Sequence, residues 1–373
     1  MPFTWYHPVR VYFGNNSVEE LRNIGLNYPV AIVTGKTSAI KRGIVDRLRE
    51  ILGRDVLVYN EIGSEPTFRD VERLKSFLME NDIKTIIAVG GGSVLDSAKL
   101  AGLLVNNPEV NLRDIIGVRN VDFANPPIDV IAIPTTSGSG SEATPYSIVI
   151  DREALKKASV GSIYLYPKIA IDDPTLTHNT PYEITRNSGI DAFSHCLEIL
   201  FMRDLHPVAF NFSINGMALF VRFFKNALKD DPIAREKMML CSLYGGYSIS
   251  NVGAGLIHQF AHAIGVLRGY PHGYSIALYT IPVLSFYFNS RDGLDRIRMI
   301  EEQLGLKGFI FYLRRLFDEI GIPYVRELGL SSDEVETIVG IVERRRPYFD
   351  KFVAIPSRDD LYRIALDDFT ELY

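Results

Sequence analysis

The chain has 373 residues, which at a domain size of roughly 150 suggests two or three domains, and its 47% apolar content can fill more than one core. That excludes a mini-protein or a disordered tail. With 40 Lys and Arg against 45 Asp and Glu, the net charge is −5, so composition offers no broad basic surface to nucleic acid or acidic membranes. A small molecule is the expected partner. Two cysteines, Cys196 and Cys241, cannot make a disulfide framework, and the start MPFTWYHPVR lacks the basic-then-apolar pattern of a signal peptide. The chain is expected to be cytoplasmic. Composition does not explain why His195, His258, His262 and His272 crowd into the second half.

In chain order, the first 150 residues alternate β-rich runs with amphipathic stretches, the pattern of a mostly parallel sheet covered by helices. VAIVTG (30–35) reads as a strand, 38–52 as a helix, VLVYN as a strand, 68–81 as a helix and TIIAV (85–89) as a strand. Residues 106–127 read as a long loop before the strand IDVIAI, which ends at Pro134. From Asp172, DDPTLTHNTPYE reads as a hinge, and helical patterns follow it at 192–202, 207–229, 234–249 and 257–267. The expected architecture is an α/β Rossmann-like nucleotide-binding domain over residues 1–175 and an all-α metal-binding domain over 176–373. Residues 244–267 lack any Asp, Glu, Lys or Arg and could span a bilayer by length, but five glycines with Asn251, His258, Gln259 and His262 argue for a helix buried in protein. The basic run Arg344-Arg345-Arg346 reads as a solvated helix end.

Two loops carry the nucleotide signal. The strand at 85–89 runs into Gly90-Gly91-Gly92-Ser93 and then a helical pattern, so glycine backbone can approach a ligand while the helix start favours a phosphate. Ser93 suits the N-cap, with Asp96 three residues on. A tight strand-to-helix turn would need no more than this. However, Thr135-Thr136-Ser137-Gly138-Ser139-Gly140-Ser141-Glu142 follows another strand end, and ligands of open parallel sheets bind at that edge. Together the loops favour a nucleotide site.

The metal signal is a matter of spacing. Asp191 and His195 are four apart in GIDAFSHCLEIL, His258 and His262 repeat that spacing, and His272 follows in GYPHG. One carboxylate with several imidazoles on two helices and a turn suits a divalent ion of the Zn or Fe(II) kind. Spacing leaves open which of the five would bind it. Gln259, Phe260 and Ala261 lie between the two histidines, so the Glu of an HExxH protease is missing. Cys196 reads as a core residue.

PVRVYFG, GGGSVLDSAK, TTSGSGSEATPYS, GIDAFSHCLE and NVGAGLIHQFAHAIGVLRGYPHG together resemble the iron-containing (group III) alcohol dehydrogenase family, of the dehydroquinate-synthase-like fold, over nearly the whole chain. The resemblance implies Asp191, His195, His258 and His272 as metal ligands, with Fe2+ expected ahead of Zn2+, and His262 as a non-ligand proton carrier facing the nicotinamide. It further implies Gly91, Gly92, Ser93 and Asp96 against the pyrophosphate and ribose, Thr135 and Thr136 against the inner part of the cofactor, and Thr144 and Lys157 against further cofactor atoms. A small alcohol or aldehyde substrate and a homo-oligomer are implied as well.

Three departures matter. Where NAD-using members carry Asp after the first strand, this chain has Gly35 and Lys36. The acid that would repel a 2′-phosphate is gone, and Lys36, Thr37 and Ser38 could receive one, so NADP(H) is expected over NAD(H). Glu65 stands where many members have Asn, and HQFAHAIGV replaces HGMAHPLGA. The rival readings are a metal-dependent lyase or sugar-phosphate cyclase, a polyol dehydrogenase such as glycerol dehydrogenase, and a nucleotide sensor.

Overall fold

The computed structural model describes residues 3–54, 56–118, 120–151 and 156–369, with the backbone alone described at 151 and 156–158. The first half runs β1 (Arg10–Phe13), β2 (Val30–Gly35), α1 (Ser38–Lys41), α2 (Ile44–Leu52), β3 (Leu57–Ile62), α3 (Phe68–Glu80), β4 (Thr85–Gly90), α4 (Gly92–Val105), α5 (Leu112–Ile115), β5 (Asp129–Pro134), β6 (Tyr146–Asp151), β7 (Lys156–Gly161) and β8 (Ile169–Asp172). Six strands form one parallel sheet in the order β1-β8-β5-β4-β2-β3, while β6 and β7 form an antiparallel pair.

Strand residues alternate between two cores, as a period of two requires. Ala31, Val33, Ile86, Ala88, Val130 and Ala132 face α3 and α4, while Val30, Ile32, Ile87, Val89, Ile131 and Ile133 face α2. Burial on both faces explains why β2 and β4 read as unbroken apolar runs. The chain reaches the β3 edge and returns across β2 to β4, so the loops after β2, β4 and β5 share one end of the sheet.

Several expectations need correcting. The single helix over 38–52 is two, α1 and α2, parted by Gly43 at φ 67°. The loop 106–127 contains α5 and is pinned by the Asn107 side chain, which donates to Leu103 O and Asn125 O. The strands β1, β6, β7 and β8 were not anticipated, being four to six residues long without clean alternation. The β-hairpin and β8 fill the interval before the hinge.

The second half comprises α6 (Tyr182–Ile199), α7 (Pro207–Ala227), α8 (Pro232–Val252), α9 (Leu256–Arg268), α10 (His272–Phe288), α11 (Arg291–Leu304), α12 (Phe309–Glu319), α13 (Ser332–Glu343) and α14 (Arg358–Leu366). The helix expected to start at 192 begins ten residues earlier, directly after Pro181. Between β8 and α6 lies a 3-10 turn, Pro174–Thr177, capped by the Asp173 side chain accepting from Thr175 N. The division expected at residue 175 falls in this turn, and we propose it as the domain boundary. The charge-free stretch 244–267 is the end of α8 and most of α9, broken at Gly253, which takes φ 92°. Another helix, α7, is long and apolar enough to cross a membrane by composition alone, and it packs on α6 and α8.

Glycines set how closely α8 approaches its neighbours. A Cβ on Gly245 would lie 3.0 Å from both the Ala192 carbonyl and the His195 Cβ, and one on Gly246 would lie 2.7 Å from the Gly140 carbonyl. Thus α8 is held against α6 and against the Ser-Gly loop after β5. Cys196 and Cys241 are free and fully buried, as core residues.

Candidate active site

A cleft of about 760 Å³ opens between the sheet's carboxyl end and the helical half. On the sheet side it is lined by Ser64, Glu65, Gly92, Ser93, Asp96, Thr136, Ser139, Ser141 and Thr144, and on the helical side by Asp191, His195, His258, Gln259, His262 and His272. Gly91 and Thr135 sit one residue behind this wall, Thr135 donating its N–H to Gly90 O at 3.0 Å.

The phosphate turn differs from its expected capping. Gly91, not Ser93, is the N-cap of α4, and no side chain caps it. The helix starts two residues earlier than a Ser93 cap would allow, leaving the first N–H groups without side-chain acceptors. Ser93 instead donates its hydroxyl to Ser64 O at 2.5 Å. A Cβ on Gly92 would fall 2.8 Å from both Cβ and Oγ of Ser139, so the two expected loops meet here. Uncapped N–H donors at a glycine turn suit a phosphate.

Asp96 lines the cleft, yet both its oxygens are engaged, accepting from Ser141 Oγ and from Ile148 N at 2.9 Å. Beside it Lys99 is 1% exposed and donates Nζ to Ser141 O at 2.9 Å and Thr144 O at 3.3 Å. Lys99 therefore ties α4 to the Ser-Gly loop. Thr144 is buried next to it, and Lys157 pairs with Ile150 across the β6–β7 ladder, its side chain lying outside the described part. At the end of β2, Gly35 is half-buried with Val94 of α4 3.8 Å from where its Cβ would be, and Lys36 is exposed.

Across the cleft, Asp191 and His195 project from α6, His258 from α9, and His272 opens α10. Asp191 Oδ1 lies 3.7 Å from His195 Nε2 and 3.6 Å from the Nε2 atoms of both His258 and His272. His195 Nε2 and His258 Nε2 stand 3.1 Å apart. Among the described residues, Asp191, His195 and His258 form a buried group whose ligand atoms lie within 4.8 Å of one another. Oxygen and nitrogen ligands about 2.1 Å from a common ion stand roughly 3 to 3.5 Å apart, close to this spacing. Asp191 Oδ1 is buried without a hydrogen-bond partner, an expensive state unless a cation lies among these atoms. The donor set fits a divalent ion.

Electrostatics within the group run in opposite directions. Burial acts to raise the Asp191 carboxyl, but the charges of His195 and His272 and the contact with His258 outweigh it and hold it well below the usual range. Burial pushes His195 down. For His258, burial also acts downward, yet Glu198 and then Asp191 win and push the imidazole up to about 10. That proton is the charge an ion would replace.

Glu198 was not anticipated. It is buried, accepts His258 Nδ1, and takes the His258 backbone N–H at 3.1 Å. Such a carboxylate fixes the tautomer and aim of an imidazole so that its other nitrogen faces the ion. The signal was present: Asp191, His195 and Glu198 are at i, i+4 and i+7 of one helix face. His262 lines the cleft, its ring centre 6.0 Å from that of His258 and 5.2 Å from that of His272, and stands outside the tight group.

Residues 8–174 match the model of the iron-containing alcohol dehydrogenases, and residues 185–364 match the C-terminal model of the same family. The NADPH-dependent butanol dehydrogenase of Clostridium saccharobutylicum is 27% identical over 352 residues, 91% of this chain and 90% of its own length. The 1,3-propanediol dehydrogenase of Citrobacter freundii is 28% identical over 356 residues, 88% of this chain and 89% of its own. In fold, an iron-containing alcohol dehydrogenase from Thermococcus thioreducens superposes with a TM-score of 0.89 at 22% identity, over 99% of this chain and 100% of that one. The chain belongs to the iron-containing alcohol dehydrogenase family and is an oxidoreductase of that type.

Proposed function

We propose that this chain interconverts small aldehydes and primary alcohols with NADP(H), using a divalent ion, Fe2+ ahead of Zn2+, held by Asp191, His195, His258 and His272. The observation that carries this reading is the unpartnered Asp191 Oδ1 facing three imidazole Nε2 atoms at 3.6 to 3.7 Å. Once bound, the ion would supply Lewis acidity towards the substrate oxygen and the cofactor the hydride. The overall reaction is aldehyde plus NADPH plus one proton giving alcohol plus NADP+.

The chain's own residues bind, aim and move the proton. Gly91, Gly92 and Ser93 would receive the pyrophosphate on the uncapped start of α4. Asp96, held by Ser141 and Ile148, lines the cleft, while Lys99 behind it braces the Ser-Gly loop, and Thr135, Thr136, Thr144 and Lys157 would line the inner part of the cofactor's path. Glu198 orients His258. His262, on the cleft wall and outside the tight group, would hold the exchanged proton at a ring nitrogen and pass it to solvent or substrate. Gly35 offers no carboxylate against a 2′-phosphate, and the exposed Lys36 ammonium can meet one, which supports NADP(H) over NAD(H).

The test is consumption of NADPH and NADH by metal-loaded protein with butanal, glyceraldehyde and lactaldehyde. Oxidation of NADPH in preference to NADH is expected, with the glyceraldehyde arm bearing on a polyol enzyme. A cyclase or lyase on this fold would consume neither cofactor, and no oxidation with any aldehyde would overturn the reading.

A further inference from the structure

Asp191 is not the one buried carboxylate short of partners. Asp172, the last residue of β8, is 0% exposed, and both of its side-chain oxygens are buried without a hydrogen-bond partner. The hinge does not use this side chain. That work falls to Asp173, which accepts from Asn16 N at 3.0 Å, Val18 N at 3.3 Å and Thr175 N at 3.0 Å. Strand alternation says where Asp172 points: Ile169 and Ile171 join the core under α2, while Ala170 packs with Val9 and Tyr166 on the opposite face. Asp172 shares the face of Ala170. At this end of the sheet the turn Ser141–Ala143 packs against both β8 and α8, so the carboxyl is enclosed by three elements.

None of them brings it a positive charge. Glu142, in the turn, is 2% exposed, and burial followed by the charge of Glu142 pushes the Asp172 carboxyl well above its ordinary range. On α8, Tyr247 feels both acids, and burial first and then Asp172 and Glu142 push its phenol up. His7, ahead of β1, lies edge-on to Tyr247 with ring centres 4.5 Å apart, and burial pushes its imidazole down, towards the neutral form. Lys99 is committed elsewhere: its Nζ stands 3.3 Å from Asp96 Oδ1 and donates to Ser141 O and Thr144 O.

Protonation of Asp172 would remove the charge but leave an O–H donor and an acceptor buried without partners. A hard cation would remove the charge and take the oxygens as ligands. The charge count calls for a single positive charge. Asp96 and Lys99 neutralise one another, and Glu142 keeps its proton to about pH 7, which leaves Asp172 as the uncompensated group. We propose that an alkali cation, Na+ or K+, binds between β8, the Ser141–Ala143 turn and α8, with Asp172 as its charged ligand and Glu142 as a neighbouring oxygen ligand. Neither residue is among those lining the cleft, so this site is distinct from the catalytic one. Because Ser141 holds Asp96 and Ser139 meets Gly92, the cation would brace the nucleotide wall from behind.

Metal-loaded wild type and Asp172→Asn would be unfolded thermally at pH 7.5 in sodium, potassium or tetramethylammonium chloride at equal ionic strength, the last cation being too large for a buried oxygen site. Calorimetric titration of NaCl and KCl into protein kept in tetramethylammonium chloride gives the affinities. The wild type is expected to unfold at a higher temperature in one of the alkali salts, and the better of the two identifies the ion. In Asp172→Asn that difference should vanish and the affinity fall about tenfold or more, as for loss of a charged partner, while the catalytic metal measured by atomic absorption stays at the wild-type level. Because the cation competes with a proton for Asp172, the alkali effect in the wild type should also shrink at pH 5. Equal unfolding temperatures of the wild type in all three salts would overturn the proposal and leave Asp172 protonated. An alkali effect that survives Asp172→Asn, or one in the wild type that is the same at pH 5 and pH 7.5, would overturn it as well.

Discussion

The two walls of the cleft are made of different materials. On the sheet side the working surface is backbone and small residues: uncapped N–H groups at Gly91 and Gly92, and Ser139 packed where any larger residue at 92 would intrude. On the helical side it is charge held by charge, with Asp191 drawing in three imidazoles and Glu198 steering one of them. The contrast teaches that the sheet side should be sensitive to bulk and the helical side to charge, even when shape is kept.

The largest expected effect lies on the helical wall. His258→Ala removes a donor from the centre of the group and should abolish stable metal binding, lowering kcat on the order of a thousandfold, the several kcal/mol that a Lewis acid supplies. Atomic absorption on the purified variant checks the metal, and NADPH oxidation checks the rate.

Glu198→Gln sharpens the comparison, because it keeps shape and removes charge. Metal affinity should fall roughly tenfold to a hundredfold, as outer carboxylates generally contribute. Competition with a chelator measures it. An affinity equal to wild type would mean that shape alone aims His258.

On the sheet wall, Gly92→Ala adds one methyl group 2.8 Å from Ser139. Overpacking of this kind costs on the order of 1 kcal/mol or more, so the NADPH dissociation constant should rise about tenfold while metal content stays at the wild-type level. Loss of metal in this variant would break the division between the walls.

The smallest effect concerns stability. Glu142 is buried in the Ser-Gly loop, and burial raises its carboxyl from 4.5 to about 7, with its own backbone N–H and Lys99 pulling down and Asp96 pushing up. The unfolded chain therefore loses this proton from pH 4.5 upward while the folded chain keeps it to about pH 7. An acid raised in this way makes the fold less stable as pH rises through that window and adds no further slope above it. The loss attributable to Glu142 is about 3 kcal/mol at most. Urea unfolding at pH 5 and pH 8 should show Glu142→Gln losing less stability between the two than wild type does. Equal slopes would mean that Glu142 does not carry this proton.

Sequence legibility follows the same division. The β2, β4 and β5 strands and the glycine turn were readable because burial on both faces and a required backbone geometry leave local marks. Asp191 and His195 were readable from helical spacing, and Glu198 lay on the same face, overlooked because a glutamate in a helix ordinarily signals solvent. Lys99 was not readable. Its environment comes from a segment far along the chain, the carbonyls of Ser141 and Thr144. The capping of α4 was misread because Ser93 and Asp96 match a capping box locally, while contacts with Ser64, Ser141 and Ile148 claim both side chains.

The central claim is that Asp191, His195, His258 and His272 hold one ion while His262 serves beside it. Metal per chain, measured in parallel on wild type, His258→Ala and His262→Ala after identical loading and desalting, tests this most directly. The account predicts metal in the wild type and in His262→Ala, the latter with reduced turnover, and none in His258→Ala. Metal content in His258→Ala equal to wild type would contradict it.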